Sequence, residues 1–432
     1  MSVITVSVYC IFSVFAFAIY RKISHPVVIF NLIWTVLIAV SRLGLVGLSV
    51  PPSATYEVFL RGGIVFNLLT FILFFIDRII GIKKENSKTK VILSDKTKQK
   101  IVLAFNIVML LYYIFKLIQV YGIIGESGNY LVVRSFYYST ENFASSLEYN
   151  IVTFVFDPFI YLNAVIFALN TKKKKYHTYT LVLIFLNMIL RTIISGGRMI
   201  MFEFALCVVI AQITSYIGEQ KSNSLGMKNN KKMITVILIA FLFLVASYIT
   251  QLRGGTENTI AGNGIATIIS NFTGSFSYFS VLNYYGKYLK MLLGRATFAG
   301  IVDPIIMILH FFKLTEVEIA QNSVGNILSE FYLLGNHSYN AMPTMYYFFI
   351  TDFKEAGVYI GTAILSVYCF VFDRIRRSFN NYKSFGLYLM MLLTIIESPM
   401  TWLPFKTTFI VANILIVILA SNNRFRESKK LR

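Results

Sequence analysis

The chain has 432 residues; 56% are hydrophobic, 16% aromatic and only 14% charged, and the formal net charge is +20. A soluble domain runs at roughly 45–50% apolar and about 25% charged, so this much apolar surface excludes an ordinary water-soluble enzyme. The excess of Lys and Arg would suit nucleic acid in a polar chain. Here the cations cluster between apolar runs, no basic polar domain exists to hold a nucleic acid, and no nucleic-acid partner is expected.

A membrane span needs about 17–25 apolar residues. The first run, residues 2–20, has no basic leader and no small-residue cleavage site, so it reads as a retained first helix rather than a signal peptide. Further runs follow at residues 27–48, 62–80, 101–121, 151–170, 179–195, 199–217, 233–250, 357–371, 385–402 and 407–420. The expected fold is therefore an all-α polytopic membrane protein with about eleven transmembrane helices, within a range of roughly 10–14.

Six basic clusters set the orientation: Arg21 and Lys22; the lysines between 83 and 100; Lys172–Lys175; Lys221–Lys232; Arg374–Lys383; and the tail from Arg424. All six fall on one side if the N-terminus is outside and the C-terminus cytoplasmic. Residues 1–250 then form a membrane domain of eight spans, 251–355 one large external loop with partly membrane-associated helices, 356–421 three closing spans and 422–432 a basic cytoplasmic tail. A second, shorter external stretch covers residues 122–149. Within the large loop, residues 297–312 are apolar enough to enter the membrane but carry Asp303, Pro304 and His310, which leaves a re-entrant or interfacial helix open. If they and residues 342–350 both span, the count becomes about thirteen.

Charged groups at membrane depth are costly and tend to face a cavity. Asp157 sits mid-span beside Pro158. Arg191 and Arg198 bracket Ser195-Gly196-Gly197, with Glu203 one turn further in, and Arg253 lies in Gln251-Leu252-Arg253-Gly254-Gly255. These arginines fall on the outer face, where the charge rule predicts few. A guanidinium matches phosphate oxygens with a planar fork of donors, and the glycines admit a bulky ligand. The pattern points to a lipid-linked phosphate or pyrophosphate, with Arg198 and Arg253 first and Arg191 or Arg295 in reserve. For any one arginine, snorkelling to headgroups is the ordinary alternative.

A second constellation ends the large loop: Asn336-His337-Ser338-Tyr339-Asn340, Thr344, Asp352-Phe353-Lys354-Glu355-Ala356-Gly357 and Gly361. Asp352 or His337, with Glu355 third, is the expected general base. Asp352 and Glu355 equally fit a pair of acids at a helix N-terminus, and Gly357 and Gly361 fit simple helix packing. Tyr284 and the other external aromatics suit sugar stacking or an interfacial belt. The three cysteines, Cys10, Cys207 and Cys369, lie in apolar runs, and the four histidines show no ligand spacing, so no metal site or cofactor is expected.

The Ser-Gly-Gly-Arg198 turn, Arg253-Gly-Gly and the Asn340…Thr344…Asp352-Phe353…Gly357…Gly361 run resemble the oligosaccharide repeat-unit polymerases that build bacterial O-antigen and capsular polysaccharide. The resemblance extends to the layout of nearly the whole chain. Lys354 departs from it, standing where the family often has glycine. The resemblance implies a membrane glycosyltransferase of the bacterial plasma (inner) membrane. Donor and acceptor would be undecaprenyl-pyrophosphate-linked oligosaccharides at the outer face, and glycosyl transfer would need no metal. A chain-length regulator and a flippase would be its protein partners, and Asn340, Thr344 and Tyr284 would touch substrate. Two alternatives remain. A flippase or other transporter of the same pathway would favour internal repeats and short loops. A ligase of lipopolysaccharide assembly ends its loop with a His close before a Gly-x-x-Gly helix start, whereas His337 lies far before Gly357.

Overall fold

The computed structural model describes residues 1–81, 94–127, 132–133, 145–170, 176–216, 260–284, 291–340, 342–379 and 381–421, together with 244, 247–248, 251 and 286. Hydrocarbon offers the backbone no hydrogen bonds, so long apolar runs satisfy their N–H and C=O groups internally, as helices. The described chain is accordingly almost all helix. In order come α1 (Ser2–Tyr20), α2 (Pro26–Ser41), α3 (Ser53–Ile80), α4 (Asp95–Ser127), α5 (Ser146–Ile151), α6 (Asp157–Asn170), α7 (Thr178–Ser195) and α8 (Met199–Tyr216). There follow α9 (Ile260–Tyr284), α10 (Ala299–Phe311), α11 (Ala320–Ser329), a small hairpin of β1 (Tyr332–Leu334) and β2 (His337–Tyr339), α12 (Met345–Phe353), α13 (Ala356–Phe379), α14 (Tyr382–Glu397) and α15 (Thr407–Leu419). A π-helical stretch, Val152–Phe156, joins α5 to α6.

Seven described helices are long and apolar enough to cross a membrane, and four more are apolar but shorter. Large apolar side chains such as Val3, Ile11, Val14 and Phe15 on α1 stand exposed. This is the surface of a membrane protein. The helices follow the expected runs with instructive differences. α2 stops at Ser41 because Gly44, Val46 and Gly47 take positive φ (54°, 60° and 73°), which ends a helix. α3 begins at Ser53, carrying the exposed Glu57–Arg61 pair one turn apart on its surface. α13 runs on to Phe379, since Arg374, Arg376 and Arg377 stay helical. The segment 251–355, expected as a loop with partly membrane-associated helices, contains α9, whose stretch Gly264–Tyr284 is long and apolar enough to cross a membrane, and α10 to α12. Of the expected 233–250 span only residues 244 and 247–248 are described.

The chain divides into two compact units: residues 1–85, 268–378 and 391–410 form the first, and 86–267, 379–390 and 411–432 the second. In the first unit the end of α1, the start of α2 and the ends of α3 and α13 come together. His25 stacks on Tyr20 with centroids 3.7 Å apart, Arg377 bonds Asp77 at 2.9 Å and Asp373 at 2.6 Å, and Arg374 lies 3.5 Å from Asp77. The opposite end gathers the start of α1, the end of α2 and the start of α3, where Thr5 Oγ1 donates to the Tyr56 carbonyl (3.2 Å) and Ser41 shares a hydrogen bond with Tyr56 (3.1 Å). The β hairpin and α9 dock at that same end: Asn336 N donates to Gly47 O (2.9 Å) and Ser277 Oγ to Ser49 O (2.5 Å). In the interior, Asn31 and Asn67 exchange two amide hydrogen bonds (2.7 and 2.9 Å), tying α2 to α3.

In the second unit α4, α6 and α7 are joined by Asn106, Asn163 and Asn187, all buried, with amide bonds of 2.9–3.1 Å. Lys98 Nζ caps the end of α15 by donating to Ala420 O (2.9 Å).

Candidate functional site

The centre of the first unit is a short helix with almost no exposed side chain. Met345 to Asp352 of α12 are all buried. Three glycines, Gly62, Gly357 and Gly361, make this possible, and Gly63 does the same for Tyr9 of α1. A Cβ on Gly62 would overlap the Tyr346 ring and one on Gly63 the Tyr9 ring; on Gly357 it would meet the Phe349 backbone, and on Gly361 the Phe349 ring. Gly357 and Gly361 are therefore packing residues, the plainer of the two readings the sequence allowed.

The far end of α12 clasps a turn. Leu292 N donates to Thr351 O (3.3 Å) and Leu293 N to Asp352 O (3.1 Å), which satisfies carbonyls that a helix end leaves open. The Asp352 carboxylate then accepts from Ala296 N (2.8 Å) and Thr297 N (2.6 Å). The turn between needs positive φ at Leu293 (53°) and Gly294 (95°). It presents Arg295, half-buried, whose guanidinium donates to Glu318 O and whose Nε is buried without a hydrogen-bond partner among the described residues. Nearby, Asp303 of α10 accepts from Ala320 N (3.1 Å) and Gln321 N (2.8 Å), capping the start of α11. Burial raises the Asp303 carboxyl above its usual range, while the amide donors and Arg295 pull the other way. Asp352 thus fixes the turn that carries Arg295, and Asp303 fixes the start of α11, two residues beyond the Glu318 carbonyl that Arg295 reaches.

The turn after α14 binds these parts together. Trp34 Nε1 donates to Ser398 Oγ (3.0 Å), Met345 N to Ser398 O (2.9 Å), Ser275 Oγ to Pro399 O (2.7 Å) and Trp402 Nε1 to Thr297 O (2.8 Å). Its first residue, Glu397, is fully buried. Sequence reading passed over Glu397 as part of an apolar run; a carboxylate inside such a run, just before Ser-Pro, was the available signal.

The other expected site residues fall as follows. Asp352 is wholly buried with both carboxylate oxygens engaged by backbone donors, so it acts on Arg295 through the turn. Glu355 is exposed at the corner between α12 and α13. His337 lies on β2 and is described by its backbone alone. Thr344 is the buried N-cap of α12, and its hydroxyl has no partner among the described residues. Asn340 donates to Ser329 O (3.2 Å), and Tyr284 is 85% exposed at the end of α9. Arg253 lies outside the described residues, as does most of the 122–149 stretch.

In the second unit, Arg191 is committed to a two-point ion pair with Asp157 (2.9 Å each). Arg198, half-buried after Ser195-Gly196-Gly197, donates to Thr267 Oγ1 (2.9 Å). Glu203 accepts from Tyr161 (3.0 Å). Lys116, only 3% exposed, pairs with Glu148 at 2.7 Å, and Tyr112 donates to the same carboxylate (2.8 Å). Sequence reading named neither Lys116 nor Glu148. Among the described residues no three His, Cys, Asp or Glu side chains gather as a metal-ligand set.

No protein-family model matches the chain, and no curated protein or solved structure matches it.

Proposed function

We propose that this chain is a membrane glycosyltransferase that joins undecaprenyl-pyrophosphate-linked oligosaccharide repeat units into O-antigen or capsular polysaccharide at the outer face of a bacterial plasma membrane. The observation that carries the reading is Arg295. It sits at the end of the first unit opposite the basic end, on a turn fixed by the buried Asp352, with part of its guanidinium out of water. A fixed, partly desolvated guanidinium is suited to stabilising charge that develops on a departing diphosphate. Arg198, with its two preceding glycines, is a second such group in the second unit.

In the reaction the acceptor hydroxyl attacks the anomeric carbon, the bond from that carbon to the pyrophosphate oxygen breaks, and the electron pair leaves with the diphosphate. The hydroxyl proton passes to a base. Of Asp352, His337 and Glu355 we assign it to Glu355, because its carboxylate is exposed while that of Asp352 is occupied.

The test is the glycan ladder of a deletion strain carrying single variants. Arg295→Ala or Arg198→Ala should leave single repeat units where the unaltered protein makes long chains. Long chains from both variants would remove the diphosphate-binding reading. Lipid-linked units trapped on the inner leaflet of the deletion strain would instead mark a flippase.

A further inference from the structure

We propose that α10 is an interfacial helix, lying along the outer leaflet with its exposed face sunk among lipid acyl chains rather than crossing the bilayer. The proposal stands apart from the reaction assigned above.

The helix is built inside out. Its inward residues are Ala299, Gly300, Asp303 and Ile306, so the one acid on the helix faces protein. Its outward residues, Ile301, Ile305 and Ile308, continue through the flanking Phe298 and Phe312 at alternating spacings of three and four, which is one helical face. That face carries no polar side chain, and exposure rises from 50% at Ile301 to 59% at Ile308 and 63% at Phe312. Water is the wrong solvent for such a stripe, whereas a leaflet's hydrocarbon fits it.

Length and anchoring exclude a crossing. Thirteen residues at 1.5 Å each reach about 20 Å, against a hydrocarbon core of about 30 Å. The first half of the helix is fixed at one end of the first unit. Asp352 holds the turn before it, Asp303 holds the start of α11, and Gln321 bridges Ala299 O (3.4 Å) and Thr407 Oγ1 (2.7 Å). A Cβ on Gly300 would lie 2.6 Å from Pro404 O and 2.7 Å from Ile410, so α10 rests directly on the start of α15. Beyond Phe312 the chain turns polar, with Lys313, Glu316 and Glu318 all exposed, which returns it to water. An apolar face with water-side residues beyond its end is the pattern of a helix lying in the headgroup region.

The test uses single nitroxide labels at Ile301→Cys, Ile305→Cys, Ile308→Cys and Phe312→Cys in a Cys10→Ser background, in phosphatidylcholine vesicles, with Glu316→Cys as the water-side reference. The four face positions should collide readily with oxygen and poorly with a nickel chelate, at one common depth of about 5–10 Å below the phosphates. Depth that grows by about 1.5 Å per residue along the helix would mean a re-entrant or spanning segment and overturn the proposal. High nickel access would place the face in water, and exclusion of both reagents would mean that a second protein copy covers it. Either result overturns it equally.

Discussion

Asp352 grips the turn that carries Arg295 from both sides: its carbonyl accepts from Leu293 on one flank, and its carboxylate from Ala296 and Thr297 on the other. If that is its task, Asp352→Ala leaves two buried N–H groups without acceptors and should cost about 2–5 kcal/mol. Asp352→Asn keeps one acceptor oxygen and should cost less. Thermal unfolding in detergent, read beside the glycan ladder, checks this. An Asn variant as stable as the parent yet unable to polymerise would make Asp352 a proton acceptor and defeat the anchoring account.

Lys354 occupies φ 54°, ψ −142°, a conformation that side chains resist and glycine tolerates. Lys354→Gly and Lys354→Ala both remove the side chain, so their difference isolates the backbone. The glycine variant should be more stable than the alanine variant by about 1 kcal/mol or more, and equal melting temperatures would contradict the strained geometry.

The glycines around α12 are not interchangeable with those elsewhere. Gly361→Ala puts a methyl into the Phe349 ring and should cost about 1–3 kcal/mol or abolish folding. Gly122→Ala, on the open surface of α4, should gain about 0.5–1 kcal/mol. Similar stabilities for the two variants would show that α12 is not packed as described.

His25, between α1 and α2, should make stability depend on pH. Burial, then Arg377, Lys22 and Arg376, push its imidazole down to about 3. Unfolded, it titrates near about 6.5. The folded state therefore holds His25 neutral, and its contribution is complete above about pH 6.5. It drains away as pH falls from there toward the folded value, by up to about 1.4 kcal/mol per unit. His25→Phe keeps a ring to stack on Tyr20 and cannot titrate. The stability difference between parent and variant should widen against the parent across that window; a difference flat in pH would refute the assignment.

The long spans were legible because hydrophobicity is a sum over many residues, as Ser2–Tyr20 shows by matching α1 end to end. α9 was not: its candidate span reaches a mean hydropathy of only 1.2, diluted by Gly, Ser, Thr and Asn, and it read as loop. Arg295 and Asp352 were both visible as charged residues in an apolar chain. That they share one turn depends on a pairing across more than fifty residues, which no local pattern encodes. Gly357 and Gly361 announced close packing without naming Phe349 as the neighbour. Lys116 escaped notice because a lone lysine inside an apolar run looks like noise until Glu148 is seen beside it.

The π-helical stretch between α5 and α6 has a consequence for those buried charges. Glu148 and Asp157 are nine residues apart, and at 100° per residue an unbroken α-helix would aim them about 180° from each other. The wide turn at Val152–Phe156 absorbs one extra residue, which brings the two directions to within about 80°. Lys116 on α4 and Arg191 on α7 come from two helices joined through Asn106 and Asn187. One surplus residue thus points both acids toward the same flank; excising a single residue of the bulge would leave a regular α-helix that keeps both directions, whereas rewinding the stretch as α-helix with every residue retained would turn the acids to opposite sides.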